Sequence, residues 1–213
     1  MQTTNDHQTA LLASLFPRTV SKAEKRQIEI LEGAIACYAT HGIEDTTYER
    51  IAAKCKASRT LIIHYFPNRD DLSRLVFQYV RADMQRFAIE AIQKVKSPEK
   101  RLAAYIQSTF DWIEQKPDYN AAWILSYYQC SRKKDFKALY TEMTSMGHRR
   151  IQAMLAELKG NERTSSAELA LRAKSFQALL TGACVTLSTE DLTLDRSAFL
   201  KRITQDCLKI AHG

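Results

Sequence analysis

The sequence predicts an all-α protein on three observations. Only six Gly and four Pro occur in 213 residues, so turn signals are sparse. Apolar residues recur at spacings of three and four over long stretches, whereas strict strand-like alternation is scarce. Capping residues stand immediately ahead of several of these stretches.

A hydrophobic content of 45% and a charged content of 26% describe an ordinary globular chain, long enough for one large or two small domains with ample core. The net charge of +7 favours an anionic partner, for which nucleic acid is the natural candidate. Cys37, Cys55, Cys130, Cys184 and Cys207 are odd in number and include no C-x-x-C pair, which fits reduced thiols in a cytosol. No run approaches the roughly eighteen apolar residues of a membrane span. Met1 to Thr9 carries no Lys or Arg, so the apolar patch that follows does not read as a signal peptide. A cytoplasmic protein without metal or cofactor is expected.

Residues 1–20 form an N-terminal extension whose Leu11, Leu12, Leu15 and Phe16 make an amphipathic patch ended by Pro17. A docked helix, an arm ordered by DNA and disorder all suit it. Ser21 and Glu24 then form an S-x-x-E capping box. The helix it opens carries Ile28, Leu31, Ile35 and Tyr38 as one stripe and meets its C-cap signal at Gly42. Lys22, Lys25 and Arg26 oppose the helix dipole in the first turn, where a nearby phosphate and a solvated face are both compatible.

Two short helical patterns follow. Thr47 caps a helix of about two turns through Ile51 and Ala52 that fades at Cys55, and Ser58 caps another. In the second, Leu61, Ile62 and Tyr65 pack inward, leaving Arg59, Thr60, Ile63 and His64 on or near the other face. Helices this short, joined only by Lys56 and Ala57, must cross against a third element. That is a helix-turn-helix, whose second helix offers its N-terminal side chains to a major groove. From Arg50 through Arg69 the chain carries Arg50, Lys54, Lys56, Arg59 and Arg69 and no acid, the local charge that phosphate contact requires.

Beyond Pro67 and Asn68, a long helix from Asp70 to about Val95 carries Leu72, Val76, Tyr79 and Val80, with Asp70 and Asp71 at its positive end. Ser97-Pro98 restarts a helix with Leu102, Tyr105, Ile106, Phe110 and Ile113 on one face. Tyr119 to Cys130 is apolar nearly all round, the pattern of a helix surrounded by protein. Phe136 to Leu158 is again helical, with a bend possible at Gly147. After the Gly160-Asn161 turn, Leu169, Ala173, Phe176, Leu180, Ala183 and Leu187 repeat at alternating fours and threes, and a final helix carries Phe199, Ile203, Cys207 and Ile210. Such a seam suits a partner helix, in a second copy or within the same chain.

The order Gly42, Thr47, Ile51-Ala52, Ser58, Tyr65-Phe66-Pro67, Arg69, Leu72 closely resembles the DNA-binding domain of the TetR family of bacterial transcriptional regulators, over roughly residues 22–75. The resemblance implies a helix-turn-helix domain over 21–68 and a helical effector-binding and dimerisation domain over 69–213. It implies that Ser58 to Tyr65 is the recognition helix, that Thr47 touches phosphate, and that Arg69 stands where a phosphate-binding Lys is usual. Arg59, Thr60, Ile63 and His64 are then the candidates for base contacts, and Thr47, Lys56, Ser58, Tyr65 and Arg69 for the backbone. Three residues depart from the family pattern: Lys56 replaces a turn Gly, Ala57 a branched residue, and Ile63 a Tyr that commonly reaches the DNA backbone.

The resemblance also implies a homodimer on a pseudo-palindromic operator, paired through Leu169, Ala173, Phe176, Leu180, Ala183, Leu187, Phe199 and Ile203, with an effector cavity in the second half. Tyr105, Phe110, Trp123, Tyr127, Tyr128 and Cys130 are the candidate lining for a small, flat, apolar ligand, although core packing explains the same aromatics. Cys130 read by itself is a buried small hydrophobe or a redox-sensing thiol. His41, His64 and His148 are isolated from other ligand types, and no Walker, G-x-S-x-G or G-x-G-x-x-G pattern occurs, so an enzyme is not expected. A ligand-released repressor is the expected function; a ligand-independent architectural or adaptor protein that binds DNA is the alternative.

Overall fold

The computed structural model describes residues 21–189 and 195–213, and the apolar patch at Leu11 to Phe16 lies outside them. Among the described residues the secondary structure is entirely helical: α1 (Lys22–His41), α2 (Tyr48–Lys54), α3 (Arg59–Tyr65), α4 (Arg69–Ile92), α5 (Pro98–Gln115), α6 (Pro117–Arg132), α7 (Lys134–Ala156), α8 (Ser166–Thr189) and α9 (Arg196–His212). The all-α expectation is met, and α7 runs through Gly147 as one helix.

The helix ends follow local chemistry. At the start of α1, Ser21 Oγ accepts from the Glu24 N–H (3.2 Å) and the Glu24 carboxylate accepts from the Ser21 N–H (2.8 Å), so the capping box is complete. Gly42 stops the helix at φ 74°, a region that costs a residue with a Cβ about 1–2 kcal/mol. Asn68 Oδ1 accepts from the Asp70 N–H (2.8 Å) at the start of α4, which Pro67 separates from α3.

The described residues divide into two compact units, the first comprising residues 21–86 and 116–139, the second residues 87–115, 140–189 and 195–213. In the first, Ile30, Leu31, Ala34 and Ile35 of α1 are buried with Ile51, Ile62, Leu72, Val76 and Val80. Fully burying one such side chain contributes about 1.5–3 kcal/mol. Of the expected stripe Leu31, Ile35 and Tyr38 are buried and Ile28 is only half-buried, at the edge of the buried face. Gly33 lets α2 come close: a Cβ there would lie 3.3 Å from Cys55 Cβ.

The first unit extends past residue 68 because α6 lies along α1. Glu32 of α1 accepts from the hydroxyls of Tyr79 of α4 (3.0 Å) and Tyr119 of α6 (2.5 Å). Burial, with the Glu32 carboxylate beside them, pushes both phenol pKa values well above the ordinary tyrosine range. Asp83, also buried, pairs with Lys116 (2.7 Å) and Arg86 (2.9 Å). The face that α6 buries carries Asn120, Ser126 and Gln129 besides Ala122 and Trp123, while Tyr128 is 50% exposed. The expectation that protein surrounds α6 is therefore corrected: a strongly apolar composition hid a polar buried face.

In the second unit, Leu102, Ile106 and Phe110 of α5 pack with Ile151 and Leu155 of α7, Leu169, Ala173, Phe176 and Leu180 of α8, and Cys207 of α9. The turn at Gly160, φ 96°, is held by the buried Asn161, whose amide donates to the carbonyls of Leu155 and Ala211 (both 2.9 Å). One side chain thus ties the end of α7 to the end of α9.

Candidate nucleic-acid interface

Thr47 and Ser58 start the two short helices by equivalent bonds. Thr47 Oγ1 accepts from the Arg50 N–H (3.3 Å) and Ser58 Oγ from the Leu61 N–H (3.1 Å), each satisfying a donor the first turn leaves open. Between them the Ala57 N–H bonds the Ala52 carbonyl (2.8 Å) and Lys56 sits at φ 51°. The lysine in place of a turn glycine therefore does not change the turn; it takes the left-handed conformation itself. The Tyr48 hydroxyl donates to the Phe66 carbonyl (2.6 Å), tying the start of α2 to the end of α3.

With Ile62 fully buried, helical geometry turns the opposite side of α3 outward. Arg59, Thr60 and His64 are exposed, Leu61, Ile63 and Tyr65 are half-buried, and Thr47, Arg50, Lys54, Lys56, Ser58 and Arg69 are all exposed. The candidate residues thus stand on one small helical pair and, in the case of Arg69, at the start of α4, with all their cations exposed. The Arg59 guanidinium pairs with Glu49 of α2. The α2 N-terminus, through Glu49's own N–H and the Thr47 hydroxyl, and then Arg59, hold the Glu49 carboxyl below the usual range.

Arg69 has a structural duty that its position in the motif did not reveal. Its Nη2 donates to the carbonyls of Ile43 (2.9 Å), Glu44 (3.4 Å) and Thr46 (2.5 Å), pinning the loop before α2 to the start of α4. Sequence reasoning also missed Tyr48, Glu49 and Gly33, whose contacts are made only by the crossing of α1, α2 and α3.

The other candidates are divided between the two units. Tyr105 and Phe110 belong to the core of the second unit, with the Tyr105 ring 6.3 Å from Phe176. Trp123, Tyr127, Tyr128 and Cys130 belong to the first unit, where Trp123 meets Tyr127 edge-on at 5.0 Å. Burial raises the Cys130 thiol pKa, and its S–H faces the Phe136 carbonyl at 3.4 Å, a protonated thiol rather than a reactive thiolate. Leu169, Ala173, Phe176, Leu180 and Ala183 are buried inside the chain, and Leu187, Phe199 and Ile203 pack partly buried against them. Helices α5, α7 and α9 cover the buried ones, and Leu187, Phe199 and Ile203 keep part of their surface in solvent.

The family model described as "Bacterial regulatory proteins, tetR family" matches residues 30–76, and that described as "BetI-type transcriptional repressor, C-terminal" matches residues 98–209. The HTH-type transcriptional regulator BetI of Brucella anthropi is 26% identical over 140 residues, 66% of this chain and 72% of that protein. The HTH-type transcriptional repressor AcnR of Corynebacterium efficiens is 26% identical over 148 residues, 68% of this chain and 73% of its own. Two solved structures share the fold. A transcriptional regulator of Pseudomonas aeruginosa PAO1 superimposes with a TM-score of 0.75 at 20% identity, covering 89% of this chain and 90% of that one. A regulator from Saccharomonospora viridis in complex with choline superimposes with a TM-score of 0.72 at 15% identity, covering 87% and 94%. Capped short helices around an exposed basic face, followed by a helical second half that matches the same group's repressors, make this chain a member of the TetR family of bacterial transcriptional regulators.

Proposed function

We propose that the chain is a homodimeric repressor that holds a pseudo-palindromic operator and is released by a small effector. The observation that carries this reading is the outward face of α3, where Arg59, Thr60 and His64 stand exposed above a fully buried Ile62, in a segment without acids from Arg50 to Arg69. Arg59, Thr60, Ile63 and His64 read bases; Thr47, Lys56, Ser58, Tyr65 and Arg69 hold the backbone. Arg69 serves phosphate with what its three carbonyl bonds leave free, and DNA must take Arg59 from Glu49. This work belongs in the cytoplasm, where reduced thiols and DNA coincide.

Pairing uses the side of α8 opposite its buried seam. Leu171 is 59% exposed, and Ser175, Ala178 and Gly182 continue that face. Small residues there admit a second helix at close range. The effector site lies on α6, where Trp123 Nε1 is buried without a hydrogen-bond partner among the described residues, beside Tyr127. The choline held by the Saccharomonospora viridis regulator is a small cation with apolar methyl groups, a chemistry that aromatic faces accept. Release requires the effector to prefer the conformation that binds DNA less well.

Selection of bound fragments from random duplex DNA tests the reading. Enrichment of an inverted repeat with half-sites about 34–36 Å apart is expected, and choline or a related compound should lower affinity for it. Equal binding to operator and random duplex at fixed salt would instead establish the ligand-independent architectural alternative.

A further inference from the structure

A cavity lies wholly within the first unit, where the C-terminal end of α6 faces the loop before α2 and the start of α4. Its volume is about 540 Å³, inside the range of small-molecule sites. Three features give it a chemical preference. Arg132, exposed at its edge, has no carboxylate or hydrogen-bond partner among the described residues and stacks 5.9 Å from the Tyr128 ring. Tyr128 itself is 50% exposed, a large aromatic face that the fold leaves uncovered. Gln129 lines the cavity at 5% exposure and brings an amide that can both donate and accept.

The remaining charges narrow the choice. Lys133 is neutralised by Asp70 (2.7 Å), and Arg69 holds three backbone carbonyls. Glu44, an acid at the wall, opposes a multiply charged anion. We propose that this cavity binds a small planar monocarboxylate, its carboxylate on the Arg132 guanidinium, its ring against Tyr128 and a polar edge on the Gln129 amide. A guanidinium fork matches a carboxylate in two parallel bonds, which makes Arg132 the selective element. The site is distinct from the effector site on Trp123 and Tyr127. A consequence for DNA does rest on the regulator reading: the cavity wall includes Ile43 and Glu44, so an occupant bears on the loop that Arg69 secures ahead of the Thr47 cap.

Titration calorimetry of the full-length protein with sodium benzoate, and separately with benzamide and inorganic phosphate, tests the proposal. Saturable binding of benzoate at millimolar concentration is expected, with benzamide and phosphate much weaker. Arg132→Ala should weaken benzoate by about tenfold or more, equivalent to ~1.4 kcal/mol. Tyr128→Ala should also weaken it, while Arg132→Lys should fall between, since it keeps the charge without the fork. The exposed α8 variant Lys174→Ala should bind as wild type, and circular dichroism should show every variant equally helical. Benzamide binding as well as benzoate, no benzoate heat in wild type, or equal affinity in Arg132→Ala would each overturn it. A weaker grip on DNA in Arg132→Ala without any ligand would make Arg132 a nucleic-acid phosphate contact instead. Loss of benzoate binding with operator selection intact would count against this cavity alone, not against the regulator reading.

Discussion

Lys56 shows how much one residue can carry. Its φ of 51° is a conformation that costs a side-chain-bearing residue about 1–2 kcal/mol, yet a lysine stands there within reach of solvent on the basic face. Lys56→Gly should stabilise the protein by about 0.5–1 kcal/mol in urea unfolding. The same variant should reduce the salt dependence of DNA binding by about one phosphate, a slope change of ~0.9. An unchanged slope would remove Lys56 from the interface. Gly33 is the converse case. Gly33→Ala improves helix propensity by about 1 kcal/mol but sets a methyl 3.3 Å from Cys55 Cβ at a crossing where overpacking costs about 1–3 kcal/mol. Net destabilisation on the order of 1 kcal/mol is expected, and a rise in melting temperature would contradict it. Lys56 was legible because the family turn normally holds Gly; Gly33 was not, since nothing along the chain tells that Cys55 will cross it.

At the level of elements, periodicity located helices but not their neighbours. The alternating spacing from Leu169 to Leu187 was read correctly as a packed seam. Within the chain, α5, α7 and α9 bury Leu169, Ala173, Phe176, Leu180 and Ala183 of that seam, whereas Leu187 is only partly covered. The composition of α6 misled in the opposite sense: aromatic and aliphatic residues dominate, yet Asn120, Ser126 and Gln129 are on the buried side and Tyr128 is out. The turn at Gly160-Asn161 was visible as a dipeptide, whereas the clamp made by the Asn161 amide on Leu155 and Ala211 was not. Asn161→Ala would strand two buried carbonyls and a bond from Arg172, at about 1–3 kcal/mol by chemical denaturation. A change within a few tenths would mean that water replaces the amide.

The behaviour of the whole molecule rests on two faces that it leaves uncovered. A net charge of +7 with Arg50, Lys54, Lys56 and Arg59 exposed predicts DNA binding that weakens steeply with salt; a flat response would argue against phosphate contact. On α8, a Cβ at Gly182 would meet nothing within 4 Å, so Gly182→Arg leaves the chain's own packing intact. Sedimentation should then show a monomer of unchanged helicity whose operator affinity is sharply reduced, and a persistent dimer would move the pairing surface elsewhere. The sequence alone determined the helices, their caps, the basic segment and the family, because these depend on residues within a few positions of one another. Only the tertiary structure decided that α5, α7 and α9 bury Leu169 to Ala183 of the α8 seam, that Arg69 secures a loop, that Glu49 holds Arg59, and that Tyr128, Gln129 and Arg132 line a cavity. Those outcomes depend on which helices cross, and crossing is settled by the burial of all of them together.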